Sequence, residues 1–303
     1  MSCKRRLWRE GIRVNLGINT FHVVDRYGLD EQGEYSPQNL ARSVESIVRE
    51  MDLRIIELFL DAGSQRPDLM GDGALRRLKE LKEAENIRFS AHLPFKYLDL
   101  SSLNEGVRKL SMECCKRAID FGEELDVDTY VVHLTGAEVR CLYADWSPSS
   151  PYVLNKLLEE TIMNAHKSLE ELTRYVDPRR LCVENLYPAD FSDFECVVQE
   201  LGTSVCFDVG HLLLHKKNPI AFLDDFADRI RVIHLHDVSM IPVESGKVVR
   251  IDHQTLGTGE LDLSRFLKKL EGIQFDGYLI LEPLNGSVGR KSLEVLRQHI
   301  TKI

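Results

Sequence analysis

The stretch RVIHLHDVS, residues 231–239, sets two histidines and an aspartate directly behind a β-branched run. A strand that ends in readily protonated side chains reads as a scaffold delivering chemistry at one end, and the rest of the chain repeats the arrangement. Short β-branched runs occur eight times: VNLGIN (14–19), RIIELFL (54–60), IRFSAHL (87–93), DTYVVHL (128–134), RLCVEN (180–185), SVCFDV (204–209), IRVIHLH (230–236) and GYLILEP (277–283). Amphipathic helical stretches alternate with them near 37–50, 72–85, 104–126, 152–175, 190–200, 219–227, 262–271 and 288–300. Continuous apolar strands separated by helices predict parallel strands with crossover connections, and eight such units predict an α/β fold of the closed (β/α)8 TIM barrel type. The 303 residues suit one barrel domain over 1–303 that opens with a short polar arm, 1–12.

Composition narrows the function. Hydrophobic residues make up 43% and charged residues 29%, and no apolar run approaches the roughly 20 residues of a membrane span. The Arg-rich start MSCKRRLWRE lacks the apolar stretch of a signal peptide, so a soluble, cytoplasmic protein is expected. A formal charge of -9 argues against nucleic acid as a partner, because backbone affinity rests on clustered Lys and Arg. The seven cysteines (Cys3, Cys114, Cys115, Cys141, Cys182, Cys196, Cys206) form no CxxC pair and read as reduced core residues.

In this fold, catalytic groups stand at the C-terminal strand ends and in the loops that follow. Those positions hold His92, His133, Glu184, Asp208 with His211, His234 with His236, the loop pair Asp252 and His253, and Glu282. Only His22, His166, His215 and His299 of the ten histidines fall outside the set. Imidazole and carboxylate suit zinc, manganese, iron or cobalt, and burying such a cluster is costly unless protons or metal ions offset the charge. His234 and His236, two apart on a strand, are expected to share the interior face. In FDVGH (207–211), Gly210 is expected to permit a tight turn that brings Asp208 and His211 to one centre. CVENLYP (182–188) and LILEPLN (279–285) each carry one acid on an apolar strand, which calls for a metal or for an ion pair with a barrel Lys or Arg.

The motifs SAHLP (90–94), VVHLTG (131–136), CVENL (182–186), CFDVGH (206–211), VIHLHD (232–237), DHQTLGTGELD (252–262) and LILEP (279–283) resemble, in order and spacing, the strand-end motifs of the xylose isomerase-like barrel superfamily. The resemblance spans residues 14–300 and covers sugar isomerases and epimerases as well as the endonuclease IV type of repair enzyme. The epimerase branch implies one divalent metal on Glu184, Asp208, His234 and Glu282, with His211 near substrate. It also implies that the two glutamates shuttle a proton at a carbon next to a carbonyl. The endonuclease IV branch implies further zinc ligands at His92, His133, His211 and His253. That branch has an aspartate where Ile251 stands, which leaves the adjacent Asp252 as a substitute. SVCFDVGHLLLHKKNP (204–219), RIRVIHLHDV (229–238) and DH (252–253) further resemble cobamide-remodelling phosphodiesterases, and HLPFKYLDLSS (92–102) is compatible with them.

Eight potential ligands exceed the needs of a one-metal isomerase, whereas phosphodiester hydrolysis gains from paired ions. The first expectation is therefore a divalent-metal-dependent hydrolase of a small-molecule phosphodiester, with the nucleotide loop of a cobamide as candidate. It would use one to three zinc or manganese ions, with Glu184, Glu282 and His211 as catalytic groups. His236, Asp237 and Asp252 are expected beside the ligands or on substrate, with Asp237 orienting His234. The alternative is a metal-dependent sugar or sugar-phosphate isomerase or epimerase. An apurinic-site endonuclease is disfavoured by the acidic charge, and a non-enzymatic barrel by the retention of both glutamates. Lids are expected over 24–37 and 136–151, where Tyr143 and Trp146 stack on a substrate ring or pack the loop. A hairpin is expected over 239–252, turning at Ser245-Gly246. Oligomeric state and substrate identity are left open.

Overall fold

The protein is described from a computed structural model, which covers residues 14–22, 28–30, 32–136, 139, 142, 150–242 and 248–300. Its strands are β1 (Asn15–Asn19), β2 (Ile55–Phe59), β3 (Arg88–His92), β4 (Tyr130–Val132), β5 (Leu181–Glu184), β6 (Ser204–Asp208), β7 (Ile230–Leu235), β8 (Asp237–Pro242), β9 (Val248–Gln254) and β10 (Tyr278–Leu281). Eight of them pair in parallel and close in the order β1-β10-β7-β6-β5-β4-β3-β2, while β8 and β9 form a separate antiparallel hairpin. Valine, isoleucine and leucine dominate the strands because both faces are buried, one against helices and one in the barrel. Val131, Cys182, Cys206, Val232, Tyr278 and Ile280 pack together inside the barrel.

The helices are α1 (Asn39–Ser46), which runs into a π turn over Ile47–Met51, α2 (Asp61–Gln65), α3 (Asp72–Glu85), α4 (Glu105–Glu123), α5 (Pro151–Tyr175), α6 (Glu195–Glu200), α7 (Val209–Leu214), α8 (Pro219–Phe226), α9 (Leu263–Gly272) and α10 (Gly286–Ile300). Local chemistry sets their ends. Asn104, Asn218 and Asp262 accept backbone N–H groups at the starts of α4, α8 and α9, and Asn86 ends α3 in the left-handed region. The buried faces of these helices complete one continuous core around the barrel.

All eight predicted strands and eight predicted helices are present, with α2 and α7 in addition. The tight turn expected at Gly210 is a correction: the residue lies inside α7, and Asp208 caps that helix by accepting the His211 N–H at 2.6 Å. The hairpin over 239–252 is observed as β8 and β9, with Ser239 opposite Ile251. Its turn at Ser245-Gly246 lies outside the described residues, as do the arm 1–12, Tyr143, Trp146 and most of the two proposed lids. Cys114, Cys115, Cys182 and Cys206 are free and buried as expected, but Cys196 is free and exposed. Among the described residues, no helix is long and apolar enough to cross a membrane.

Candidate active site and metal centre

Four neighbouring strands aim four side chains at one point. Glu184 ends β5, Asp208 ends β6, His234 lies in β7 opposite Asp208 in the strand register, and Glu282 follows β10. One donor atom from each lies within 4.8 Å of the others, and all four residues are buried. His234 Nδ1 stands 3.2 Å from Glu282 Oε2 and 3.6 Å from Glu184 Oε1. The other oxygen of Glu184 faces His133 Nε2 at 2.9 Å and His92 Nε2 at 3.3 Å, so His92, His133 and Glu184 form a second group sharing the same carboxylate.

Hydrogen bonds to the backbone assign the rings. His92 Nδ1 and His211 Nδ1 each face a carbonyl that can only accept, Leu93 O at 2.9 Å and Asn185 O at 3.0 Å, so each Nδ1 carries a proton. For His92 that leaves Nε2 against a carboxylate oxygen, an arrangement that demands a second proton or a shared cation. His236 is fixed the other way: the backbone N–H of His253 donates to its Nδ1 at 2.9 Å, so its Nε2 carries the hydrogen given to Asp208 Oδ2 at 3.0 Å. His253 reaches this position with a left-handed backbone, φ 54°, and its ring stacks on His236 at 4.1 Å.

The electrostatics follow from burying acids among imidazoles. Burial opposes ionisation of Glu184 and Glu282, yet His133 and His234 hold Glu184, and His234 and His253 hold Glu282, well below the usual carboxylate range. Burial likewise opposes protonation of His234, but Cys206, Glu282, Glu57 and Glu184 raise its pKa well above the ordinary value. At His92 the carboxylates of Glu184 and Glu57 outweigh burial and raise the pKa, whereas at His133 burial wins and lowers it. His253 is pushed up to about 10 against its burial by Asp252 and Glu282.

The site answers several sequence expectations directly. Asp252 meets His253 Nδ1 at 3.2 Å and belongs to none of the metal-competent groups among the described residues, whereas His236, His253 and Glu282 form such a group. The ion pairs of Glu184 and Glu282 run to histidines rather than to a barrel Lys or Arg. Asp237 corrects the expectation that it orients His234. Its carboxylate accepts four backbone N–H groups, from Val238, Gly257, Gly259 and Leu261, and thereby folds the 257–261 loop onto β8. A side chain at Gly259 would collide with that carboxylate, its Cβ falling 2.4 Å from Asp237 Oδ1. One residue at the site that the sequence reading passed over is Glu57 on β2, completely buried, with Oε1 3.0 Å from His234 Nε2. Its signal was a single acid inside the apolar run RIIELFL.

A cavity of about 600 Å³ opens over this cluster, walled by Phe21, Phe59 and Phe95 on one side and Leu186 and Tyr187 on another. Of the quartet, Glu184 and Glu282 border it, while Asp208 and His234 lie behind them. The donor set fits a divalent cation: both ring nitrogens of His234 are buried without an aligned hydrogen bond, and three carboxylates converge beside Nδ1.

An eight-stranded parallel barrel whose C-terminal mouth gathers acids and histidines around a cavity defines a class of metal-competent (β/α)8 barrels. The chain belongs to the xylose isomerase-like TIM barrel family, whose sequence pattern matches residues 46–299. An uncharacterised protein of Methanocaldococcus jannaschii is 24% identical over 75% of this chain and 74% of that protein. Among solved structures, a D-tagatose 3-epimerase-like protein superposes with a TM-score of 0.70 at 22% identity, covering 95% of this chain and 97% of that one. D-allulose 3-epimerase from Methylomonas sp., in complex with D-allulose, superposes with a TM-score of 0.65 at 15% identity over 96% of each chain. At these identities the likeness establishes the fold.

Proposed function

We propose that the protein is a divalent-metal-dependent epimerase or isomerase of a sugar or sugar phosphate. The observation that carries this reading is that Glu184 and Glu282, alone of the quartet, border the cavity. A reversible proton transfer at a carbon next to a carbonyl needs one carboxylate to take the proton and a second carboxyl, itself protonated, to return one, and the two cavity-facing glutamates are placed to fill those roles. Glu184, Asp208, His234 and Glu282 would hold a divalent ion, which would supply positive charge for substrate oxygens beside the reacting carbon. Glu184 is oriented through Oε2 by His133 and His92, and Glu282 through Oε1 by Asn19 Nδ2 at 3.2 Å. His211 borders the cavity with its Nδ1 committed to Asn185 O, which leaves Nε2 to meet a substrate hydroxyl. The phenylalanine wall gives the cavity an apolar side next to these two glutamates. The free, buried thiols fit a cytoplasmic protein whose partner is this small-molecule substrate.

The two solved structures named above are an epimerase-like protein and an epimerase, and they favour this reading over phosphodiester hydrolysis, which the ligand count had put first. One observation keeps hydrolysis as the second reading: the His92–His133–Glu184 group shares Glu184 with the quartet, an arrangement that suits paired ions.

The test is incubation of the zinc- or manganese-loaded protein with ketoses and ketose phosphates in D2O. Deuterium at the carbon next to the carbonyl, lost in Glu184→Gln and Glu282→Gln, supports the epimerase reading. No exchange, together with cleavage of bis(p-nitrophenyl) phosphate and two bound ions per chain, replaces it with the hydrolase.

A further inference from the structure

We propose that Glu57 is a positioning residue for His234: its carboxylate holds the imidazole with the hydrogen on Nε2 and so presents the Nδ1 lone pair to Glu184, Asp208 and Glu282. The inference rests on the metal-centre reading and adds to it a residue from the far side of the barrel. Strand β2 is separated from β7 by β1 and β10, so the contact crosses the interior.

Two orphans face each other. Glu57 Oε1 and His234 Nε2 are both buried atoms without an aligned hydrogen bond, and they lie 3.0 Å apart. Each would be costly to bury alone, and each is the chemical complement of the other. The second oxygen of Glu57 is already committed, since the Ser90 hydroxyl lies 3.2 Å from Oε2 and is itself 2.9 Å from the Thr129 hydroxyl. Strand register explains the alignment: Asn19, Glu57 and Ser90 lie side by side across β1, β2 and β3. Anchored through Oε2, the carboxylate has only Oε1 to offer the ring.

Glu57 is not a candidate ligand itself. It belongs to none of the metal-competent groups among the described residues, and it meets the ring nitrogen opposite to the one facing the quartet. A carboxylate on the far nitrogen of a ligating histidine fixes its tautomer and orientation and makes the ligating nitrogen more basic. Removing such a partner lowers metal affinity about 10–100-fold.

The test compares wild type with Glu57→Gln, which keeps the shape of the side chain and removes its charge. Zinc affinity is read by competition with a chromophoric chelator, and folding by circular dichroism. A loss of about 10–100-fold in affinity is expected in the folded variant. A second readout needs no variant. In wild-type protein labelled with 15N-histidine, His234 Nε2 should keep its proton with and without zinc, while the Nδ1 resonance moves on zinc addition. Equal zinc affinity in wild type and a folded Glu57→Gln, or a proton retained on Nδ1 in the zinc-bound protein, overturns the role of Glu57. Wild-type protein that takes up no zinc overturns the metal-centre reading itself, which is a different result.

Discussion

Replacing Gly210 by alanine should damage both the fold and the site, although alanine in a helix interior normally stabilises by about 0.5–1 kcal/mol relative to glycine. The added Cβ would fall 1.9 Å from His236 Cε1 and 2.3 Å from its Nδ1, far inside van der Waals contact. The ring cannot slide away freely. It is held by the His253 N–H at 2.9 Å on one nitrogen and by Asp208 at 3.0 Å on the other, and it is stacked on His253. Overpacking costs about 1–3 kcal/mol, and losing a buried bond to a carboxylate adds about 1.5–3 kcal/mol. The sum of about 2.5–6 kcal/mol corresponds to a fall in Tm of about 5–12 °C at roughly 2 °C per kcal/mol for a chain of this length. Thermal unfolding of Gly210→Ala, His236→Ala and the double variant measures it. Removing the ring removes the collision, so the double variant should be less destabilised than the sum of the singles, by at least about 1 kcal/mol. A Gly210→Ala protein with wild-type Tm, or strictly additive singles, would refute the reasoning.

Three further outcomes are expected. Asp237→Asn replaces one oxygen of a carboxylate that accepts two backbone N–H groups on each oxygen, so the new amide must face two donors. A loss of about 3–5 kcal/mol is expected, read as a urea midpoint shift, and a change below 1 kcal/mol would contradict the loop anchoring. Thiol reactivity should follow burial: native protein at pH 8 alkylates at exposed Cys196, while Cys115 and Cys182, whose thiols burial pushes up to about 12, stay unmodified by peptide mapping. Zinc uptake should release protons and strengthen as pH rises from about 6 to 8. His234 is the reason: despite burial, Cys206 and the carboxylates of Glu282, Glu57 and Glu184 raise its pKa in the metal-free protein, so a proton must leave before Nδ1 can bind. The sign for stability is opposite, since a raised histidine pKa stabilises the metal-free fold below its unfolded value and loses that contribution as pH climbs through the raised one. Calorimetry in buffers of different ionisation enthalpy counts the protons, and a pH-independent affinity would contradict the assignment.

Most of the barrel was legible because its signals are local. A continuous apolar run of four to eight residues between helical stretches marks a buried parallel strand without any knowledge of its partners. The strand-end rule then found His92, His133, Glu184, Asp208, His234 and Glu282, which the structure brings to one mouth. The same rule passed over Glu57, which stands mid-strand, two residues before the end of β2. The criterion applied to Glu184 and Glu282, one acid in an apolar run, would have found it. Asp237 was misread for a different reason: its partners are backbone groups of the 257–261 loop, and no local pattern announces where a loop folds back. The tautomer of His236 depends on the left-handed backbone at His253, again set by tertiary packing. At α7, six residues long and beginning at a strand end, the glycine suggested a turn, while its role is to leave room for the His236 ring.

The two histidines behind the β-branched run have separate tasks. His234 stands between Glu57 and the three carboxylates of the quartet, and His236 stands between Asp208 and the hairpin backbone. Both serve buried carboxylates, and the choice of imidazole over a fixed cation is what keeps the site chemically open. An arginine at 234 would keep its charge among Glu57, Glu184 and Glu282 whether or not a metal ion is bound, and would leave no lone pair at the centre. Imidazole can hold a proton while the site lacks a metal ion and surrender it when one arrives, exposing a donor atom at the same position. The cost of gathering four acids in a barrel is thus offset by groups that can yield to a cation. Histidine suits the strand tip because its charge changes near neutral pH, so the same ring can fill both states of such a site.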